Sequence, residues 1–307
     1  MGKIDLLLAT YNGARYLPAQ IRSLQNQTYE DWTLYVHDDG STDATLDVVR
    51  RFAAADARIC LVDDGRRFGS PADNFLHLLS LSTAPYAVFC DQDDIWLENK
   101  LERLYDTISR ADDGRPLAAY CNAYVYNPTA GTIDGYATLC HPRTLGDAFF
   151  MNGGVQGCSI ILNAALRAIC LDRPPYVVMH DHLTTLAALA FGRLLYVDER
   201  LMLYRRYPGA VTGETYGTFR RRLGVFFQRG KSVLFEHHYA ALRSFHEHYR
   251  DRLTAEQNHL FERLYRYERR SRPANALAVL HDGFRLYGKR RVLFLKMLLR
   301  PLVGKDL

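Results

Sequence analysis

Apolar residues in the first hundred positions fall into four short blocks separated by stretches of helical periodicity. Ile4, Leu6, Leu7, Leu8 and Ala9 make the first block, 32–37 the second, 58–62 the third and Tyr86-Ala87-Val88-Phe89-Cys90 the fourth. Each has the length of a strand, and the first and fourth are apolar nearly throughout, as expected of strands covered on both faces. Between the blocks, Leu17, Ile21 and Leu24, then Leu46, Val49 and Phe52, then Phe75, Leu78 and Leu79 recur at helical spacing. This alternation predicts βαβ units and a mostly parallel sheet with helices on both faces. Further on, strands are expected over 117–126, 159–162, 194–197 and 201–204. Helices are expected over 164–170 and from Met179-His180-Asp181-His182 to Phe191.

Charge is distributed unevenly. Residues 215–307 contain 20 Lys and Arg against 8 Asp and Glu, a net of +12, whereas 1–214 contain 19 against 26, a net of −7. The division suggests two parts: an acidic domain over 1–214 that could hold metal, and a basic helical region over 215–307 that meets anions, with association into a homo-oligomer as the alternative role for the latter. In the last stretch, 284–303, Arg285, Lys289, Arg290, Arg291, Lys296 and Arg300 interleave with Leu293, Leu295, Leu298 and Leu299. That is the pattern of a segment lying on an anionic membrane surface. Nucleic acid is disfavoured, because no recognition module accompanies the basic residues. Six cysteines without CxxC pairs read as a reduced, cytosolic protein with no zinc site, and no apolar run reaches the roughly 20 residues of a membrane span.

Candidate chemistry sits at the strand ends, where open α/β sheets bind ligands. The fourth block ends in Asp91-Gln92-Asp93-Asp94, the first in Thr10-Tyr11-Asn12-Gly13 and the second in Asp38-Asp39-Gly40-Ser41. Carboxylates are costly to bury unpaired, so a cluster at an open edge points to a hard divalent cation, with Asp94 also suited to capping a helix through Leu97 and Leu101. No GxGxxG or GxxxxGK[ST] follows the first block, which disfavours dinucleotide and P-loop sites.

In order and spacing, Thr10-Tyr11-Asn12-Gly13, Asn26-Gln27-Thr28-Tyr29, Asp38-Asp39-Gly40-Ser41-Thr42-Asp43 and Asp91-Gln92-Asp93-Asp94-Ile95-Trp96 resemble the family 2 glycosyltransferases of GT-A fold. Met179-His180-Asp181 and Tyr204-Arg205 extend the likeness, which is greatest to bacterial rhamnosyltransferases of cell-surface polysaccharide synthesis. The resemblance implies an inverting, metal-dependent transfer, with L-rhamnose from dTDP-rhamnose as the favoured donor and a UDP-hexose as the alternative. Thr10, Tyr11, Asn12, Asp39, Asp91 and Gln92 would then bind the nucleotide sugar, Asp93 the Mg²⁺ or Mn²⁺, and Asp181 would act as general base. Arg205, Arg206, His180 and His182 are candidates for phosphate or acceptor contacts. The acceptor implied is a lipid-linked glycan, met by a peripheral enzyme at the cytoplasmic face of the plasma membrane. Two rival readings are a phosphohydrolase using Asp91 and Asp93, and a non-catalytic nucleotide-sugar-binding subunit.

Overall fold

The structure is a computed structural model that describes residues 2–207 and 231–304; the boundary expected near 214 and the first part of the basic region lie outside the described residues. The chain opens with β1 (Ile4–Thr10), α1 (Leu17–Gln25), β2 (Trp32–Asp38), α2 (Thr45–Ala55), β3 (Ile59–Val62), α3 (Pro71–Leu81) and β4 (Tyr86–Cys90). Then come β5 (Ile95–Trp96), α4 (Lys100–Ala111), β6 (Leu117–Asn127), β7 (Thr132–Tyr136), α5 (Leu145–Ala148), β8 (Ile160–Asn163), α6 (Ala164–Leu171), α7 (His180–Phe191) and β9 (Arg193–Arg205). After the undescribed segment follow β10 (Leu234–Phe235), α8 (Glu236–Tyr249), α9 (Ala255–Arg266), α10 (Arg272–Asp282), α11 (Arg290–Leu299) and β11 (Val303–Gly304).

The main sheet runs β3-β2-β1-β4-β8-β6-β9-β5, with β7 on β6. The pairs β3–β2, β2–β1, β1–β4 and β6–β9 are parallel, and β8 enters antiparallel between β4 and β6. Strand periodicity sorts the apolar blocks between two cores. Leu7, Ala87 and Phe89 face one of them, while Ile4, Leu6, Leu8, Val88 and Cys90 face the other. That is why the blocks read as nearly unbroken apolar runs: both faces are dry. The strands expected at 194–197 and 201–204 are one strand, β9, whose register against β6 shifts around Asn122.

One of the two cores continues through the basic C-terminal region. Val233, Leu234, Leu242, Phe245, Phe261, Val279, Leu286, Leu293, Met297 and Leu302 are buried in the same cluster as Leu183 and Leu186 of α7. β10 and β11 pair in parallel, joining the two ends of the described part of this region. On α10 and α11, which pack against each other, Leu277, Leu280, Leu295, Leu298 and Leu299 remain exposed. No helix among the described residues is long and apolar enough to cross a membrane.

Candidate active site

The parallel register sets Thr10 beside Asp38, and Leu8 beside Cys90, so the loops after β1, β2 and β4 leave the sheet at one edge. Two side chains lock these loops together. Gln92 accepts from Tyr11 N (3.0 Å) and donates to Tyr11 O (2.9 Å), and Asn12, at φ 48°, accepts from Thr42 N (2.8 Å). Gly13 leaves room for this lock, since a Cβ would come 2.1 Å from Gln92 Oε1 and displace that side chain. Asp38 accepts from Thr10 Oγ1 (2.8 Å), Gly40 N (3.1 Å) and Ser41 N (2.8 Å), and so builds the β2 turn. The polar side chains of Thr10, Asn12 and Gln92 are thus engaged in shaping the edge.

Above this edge lies a cavity of about 920 Å³, lined by Tyr11, Asn12, Asp39, Arg67, Asn74, Asp91, Gln92, Asp93, the 152–157 loop, His180, Asp181, Tyr204, Arg205 and Tyr207. Tyr11 is 56% exposed on its wall. Asp39 Oδ1 accepts from Phe68 N (2.5 Å), which leaves the second oxygen for a ligand donor.

The acidic loop holds three carboxylates in different settings. Asp91 is pushed up to about 6 by burial and by the charge of Asp93. Asp93 is raised by burial, although Tyr207 donates to its Oδ2 at 2.6 Å and Arg205 lies nearby. Asp94 does not cap a helix. It is fully buried, α4 begins beyond Asn99, and Ile95 and Trp96 pair with β9 instead. Its Oδ1 accepts from Arg205 N (3.3 Å) while its Oδ2 has no hydrogen-bond partner, and burial raises it well above the ordinary carboxylate range. Ligand atoms of Asp91, Asp94 and Cys158 all lie within 4.8 Å of one another. The buried ammonium of Lys100 donates to Cys158 O (2.6 Å), and its charge lowers the proton affinity of Asp91 and Asp94. Two carboxylates beside the Cys158 thiol, one of them fully buried with an orphaned oxygen, are a cluster whose charge a hard divalent cation would balance, the carboxylate oxygens being the ligands such an ion takes.

Asp181 stands apart on the first turn of α7. Burial pushes it up to about 7, with the charge of Asp91 adding and backbone N–H groups of His182 and Gly157 opposing. The loop 152–157 meets this turn through glycines: a Cβ on Gly154 would lie 2.5 Å from Asp181 O, and one on Gly157 would lie 2.2 Å from His180 Nε2.

Several candidates occupy other roles. His180 is sandwiched between Phe75 and Phe89, with centroids at 4.0 and 4.6 Å, and burial drives it down to about 3. It reaches the cavity as a neutral ring. His182 turns away, lining a separate crevice with Leu183 and Phe245 and facing His238 at 5.2 Å, where burial lowers it to about 4. Arg205, the last residue of β9, lines the cavity with Tyr204, whereas Arg206, just past the strand, lies over the ring of Tyr204 (5.7 Å). Arg67 and Asn74 were not singled out from the sequence, and Tyr207 was not among the candidate site residues; the Gly65–Gly69 punctuation was the one signal available for the first.

Residues 5–154 match the model of glycosyl transferase family 2. A dTDP-rhamnosyl transferase, RfbG, of Shigella flexneri is 25% identical over 238 residues, covering 71% of this chain and 78% of that one. Among solved structures, S. aureus TarS 1-349 in complex with UDP-GlcNAc superposes with a TM-score of 0.55 at 17% identity, over 73% of this chain. The mannosyltransferase PcManGT from Pyrobaculum calidifontis, in complex with GDP-Man and Mn²⁺, gives 0.54 at 21% identity over 79% of this chain. The match spans 64% of the length of each of those two chains.

Proposed function

Because this chain carries a family 2 glycosyltransferase domain with a GT-A fold, we propose that its cavity performs an inverting transfer of a sugar from a nucleoside diphosphate to a glycan hydroxyl in bacterial polysaccharide synthesis. The observation that carries the reading is the pairing, in one cavity, of a carboxylate cluster with a separate carboxyl poised near neutrality, Asp181. Two acid environments in one site are what a reaction needs when one group must hold negative charge and another must accept a proton.

Tyr11 and the wall beside Asp39 receive the nucleobase, the second oxygen of Asp39 accepting from an imide N–H. Asp91 and Asp93, with Asp94 behind them, would hold Mg²⁺ or Mn²⁺, which when bound supplies positive charge to the departing diphosphate. Arg205 adds charge on the same side. Asp181 takes the proton from the acceptor oxygen as that oxygen bonds to the anomeric carbon and the carbon–phosphate-oxygen bond breaks. The nucleoside diphosphate leaves, the configuration inverts, and no enzyme nucleophile is used. The 152–157 loop orients Asp181.

The favoured donor is dTDP-L-rhamnose, supported by the likeness to the Shigella enzyme. We place the enzyme peripherally on an anionic membrane, where it meets a lipid-linked acceptor; the support is the exposed leucines of α10 and α11 together with the exposed Arg290 and Arg291 at the start of α11. Deleting the tail is a poor test of this, since Leu293, Met297 and Leu302 belong to the core. Replacing Leu295, Leu298 and Leu299 with Gln should abolish flotation with anionic liposomes and leave the melting curve in place. Unchanged flotation removes the membrane reading. For the transfer itself, nucleoside diphosphate release is followed with dTDP-rhamnose, UDP-hexoses and a polyprenyl-diphosphate glycan. Metal-dependent release coupled to acceptor extension supports the reading, and release of inorganic phosphate from sugar phosphates without acceptor overturns it.

A further inference from the structure

Behind the nucleobase wall, His37 at the end of β2, Asp64 just beyond β3 and His77 on α3 bring their ligand atoms within 4.8 Å of one another. Both histidines are buried, at 2% and 9% exposure, and Asp64 reaches them from the surface. The hydrogen bonds around His37 fix its tautomer. Asn74 donates through Nδ2 to His37 O (3.4 Å), so its Oδ1 accepts from His37 Nδ1 (2.8 Å). In the neutral ring the proton is therefore on Nδ1, and the Nε2 lone pair points at Asp64 Oδ1, 3.3 Å away. His77 Nε2 lies 2.8 Å from Asp64 Oδ2 without hydrogen-bond geometry and has no other partner. The His37 Nε2 lone pair, His77 Nε2 and both oxygens of Asp64 thus converge on one point, where a proton on His77 or a cation balances the charge of the carboxylate.

We propose that His37, Asp64 and His77 form a zinc site, distinct from the acidic cluster at the β4 end. Two imidazoles and a carboxylate suit a borderline-soft ion, and the hydrogen bond from His37 Nδ1 to Asn74 is the outer-shell contact that orients a metal-bound histidine. Phe68 covers the point, its ring 5.5 Å from that of His37 and 5.2 Å from that of His77. Three protein ligands leave the fourth position of a tetrahedron to water. The zinc pins the loop after β3 to β2 and α3. That loop carries Arg67 into the cavity and, through Phe68 N, holds Asp39. It therefore orders the nucleobase wall without touching the reacting atoms. The absence of a cysteine-based zinc motif does not bear on such a site, because its ligands are scattered over three elements and show no fixed spacing in the sequence.

The test uses the full chain, stripped with chelator and titrated with Zn²⁺ against a chromophoric competitor, with Co²⁺ as a spectroscopic stand-in. The site predicts about one tight equivalent of Zn²⁺ and a tetrahedral Co²⁺ spectrum. Both should survive in Asp91→Asn, which leaves this site intact, and weaken by at least about tenfold in His77→Ala and Asp64→Asn. Asp64 is on the surface, so its variant keeps the result readable if His77→Ala unfolds. Zinc binding lost in Asp91→Asn, or unchanged in both His77→Ala and Asp64→Asn, overturns the proposal. So does a wild-type chain that takes up no zinc, which would mean that a proton alone holds the three groups together.

Discussion

Replacing Asp181 with Asn separates stability from chemistry at the proposed base. Asn keeps the size of the side chain and an oxygen for the backbone N–H groups of His182 and Gly157, but carries no charge. In the native protein, burial moves this carboxyl from 3.8 to about 7, which corresponds to about 4 kcal/mol against the ionised form. Water in the cavity screens part of this, since Asp181 is only half-buried, and about 2 kcal/mol is expected to remain. The native state holds that proton more tightly than the unfolded chain. Wild-type stability contributed by this group is therefore present at low pH and lost as pH rises from about 4 through about 7. Asp181→Asn should melt about 4 °C higher than wild type at pH 8 in chelator, with the gap closing towards pH 4. Transfer should fall by about 10² to 10⁴ while nucleotide affinity stays within about twofold. A variant that retains transfer refutes the base assignment. A stability gap equal at pH 5 and pH 8 refutes the electrostatic argument beneath it.

Three further outcomes follow from the same geometry. Tyr207→Phe removes the donor to ionised Asp93, so the acidic limb of metal-supported nucleotide binding should move up by about one pH unit; a limb that stays in place means the 2.6 Å contact contributes nothing. Gly154→Ala puts a methyl 2.5 Å from Asp181 O and 2.6 Å from Thr185 Oγ1, and should cost about 2 kcal/mol in thermal unfolding together with most of the transfer rate. Gly13→Ala should loosen the Gln92–Tyr11 lock, seen as weaker nucleotide binding with the metal affinity retained.

The first four strands were legible because burial on both faces leaves an unbroken apolar signature, and the loops of the site follow from where those strands end. Asp94 was not legible. A carboxylate before an apolar helical pattern reads as a cap, and Asp94 is buried together with Lys100, whose charge offsets part of the cost and whose residue type sequence patterns place at the surface. The different fates of Arg205 and Arg206 depend on where β9 ends, since Arg205 is the last residue paired with β6 and Arg206 lies beyond it. His180 and His182 share a helix turn but point to different surroundings, one onto Phe75 and Phe89 and one towards α8. The tail's alternation of Leu and Arg describes a helix with one face in the core and another exposed, so amphipathicity there reports packing as well as a surface.

Metal-dependent binding of a nucleotide sugar is measured by a thermal-shift series on the full chain with dTDP-rhamnose, UDP-glucose, UDP-GlcNAc and GDP-mannose, each with Mn²⁺ and with chelator. Stabilisation is expected from one donor class, favouring dTDP-rhamnose, rising with ligand concentration as binding linkage requires. The shift should disappear in chelator and in Asp91→Asn. A shift equally large in chelator, or no shift with any nucleotide sugar, contradicts metal-dependent donor binding.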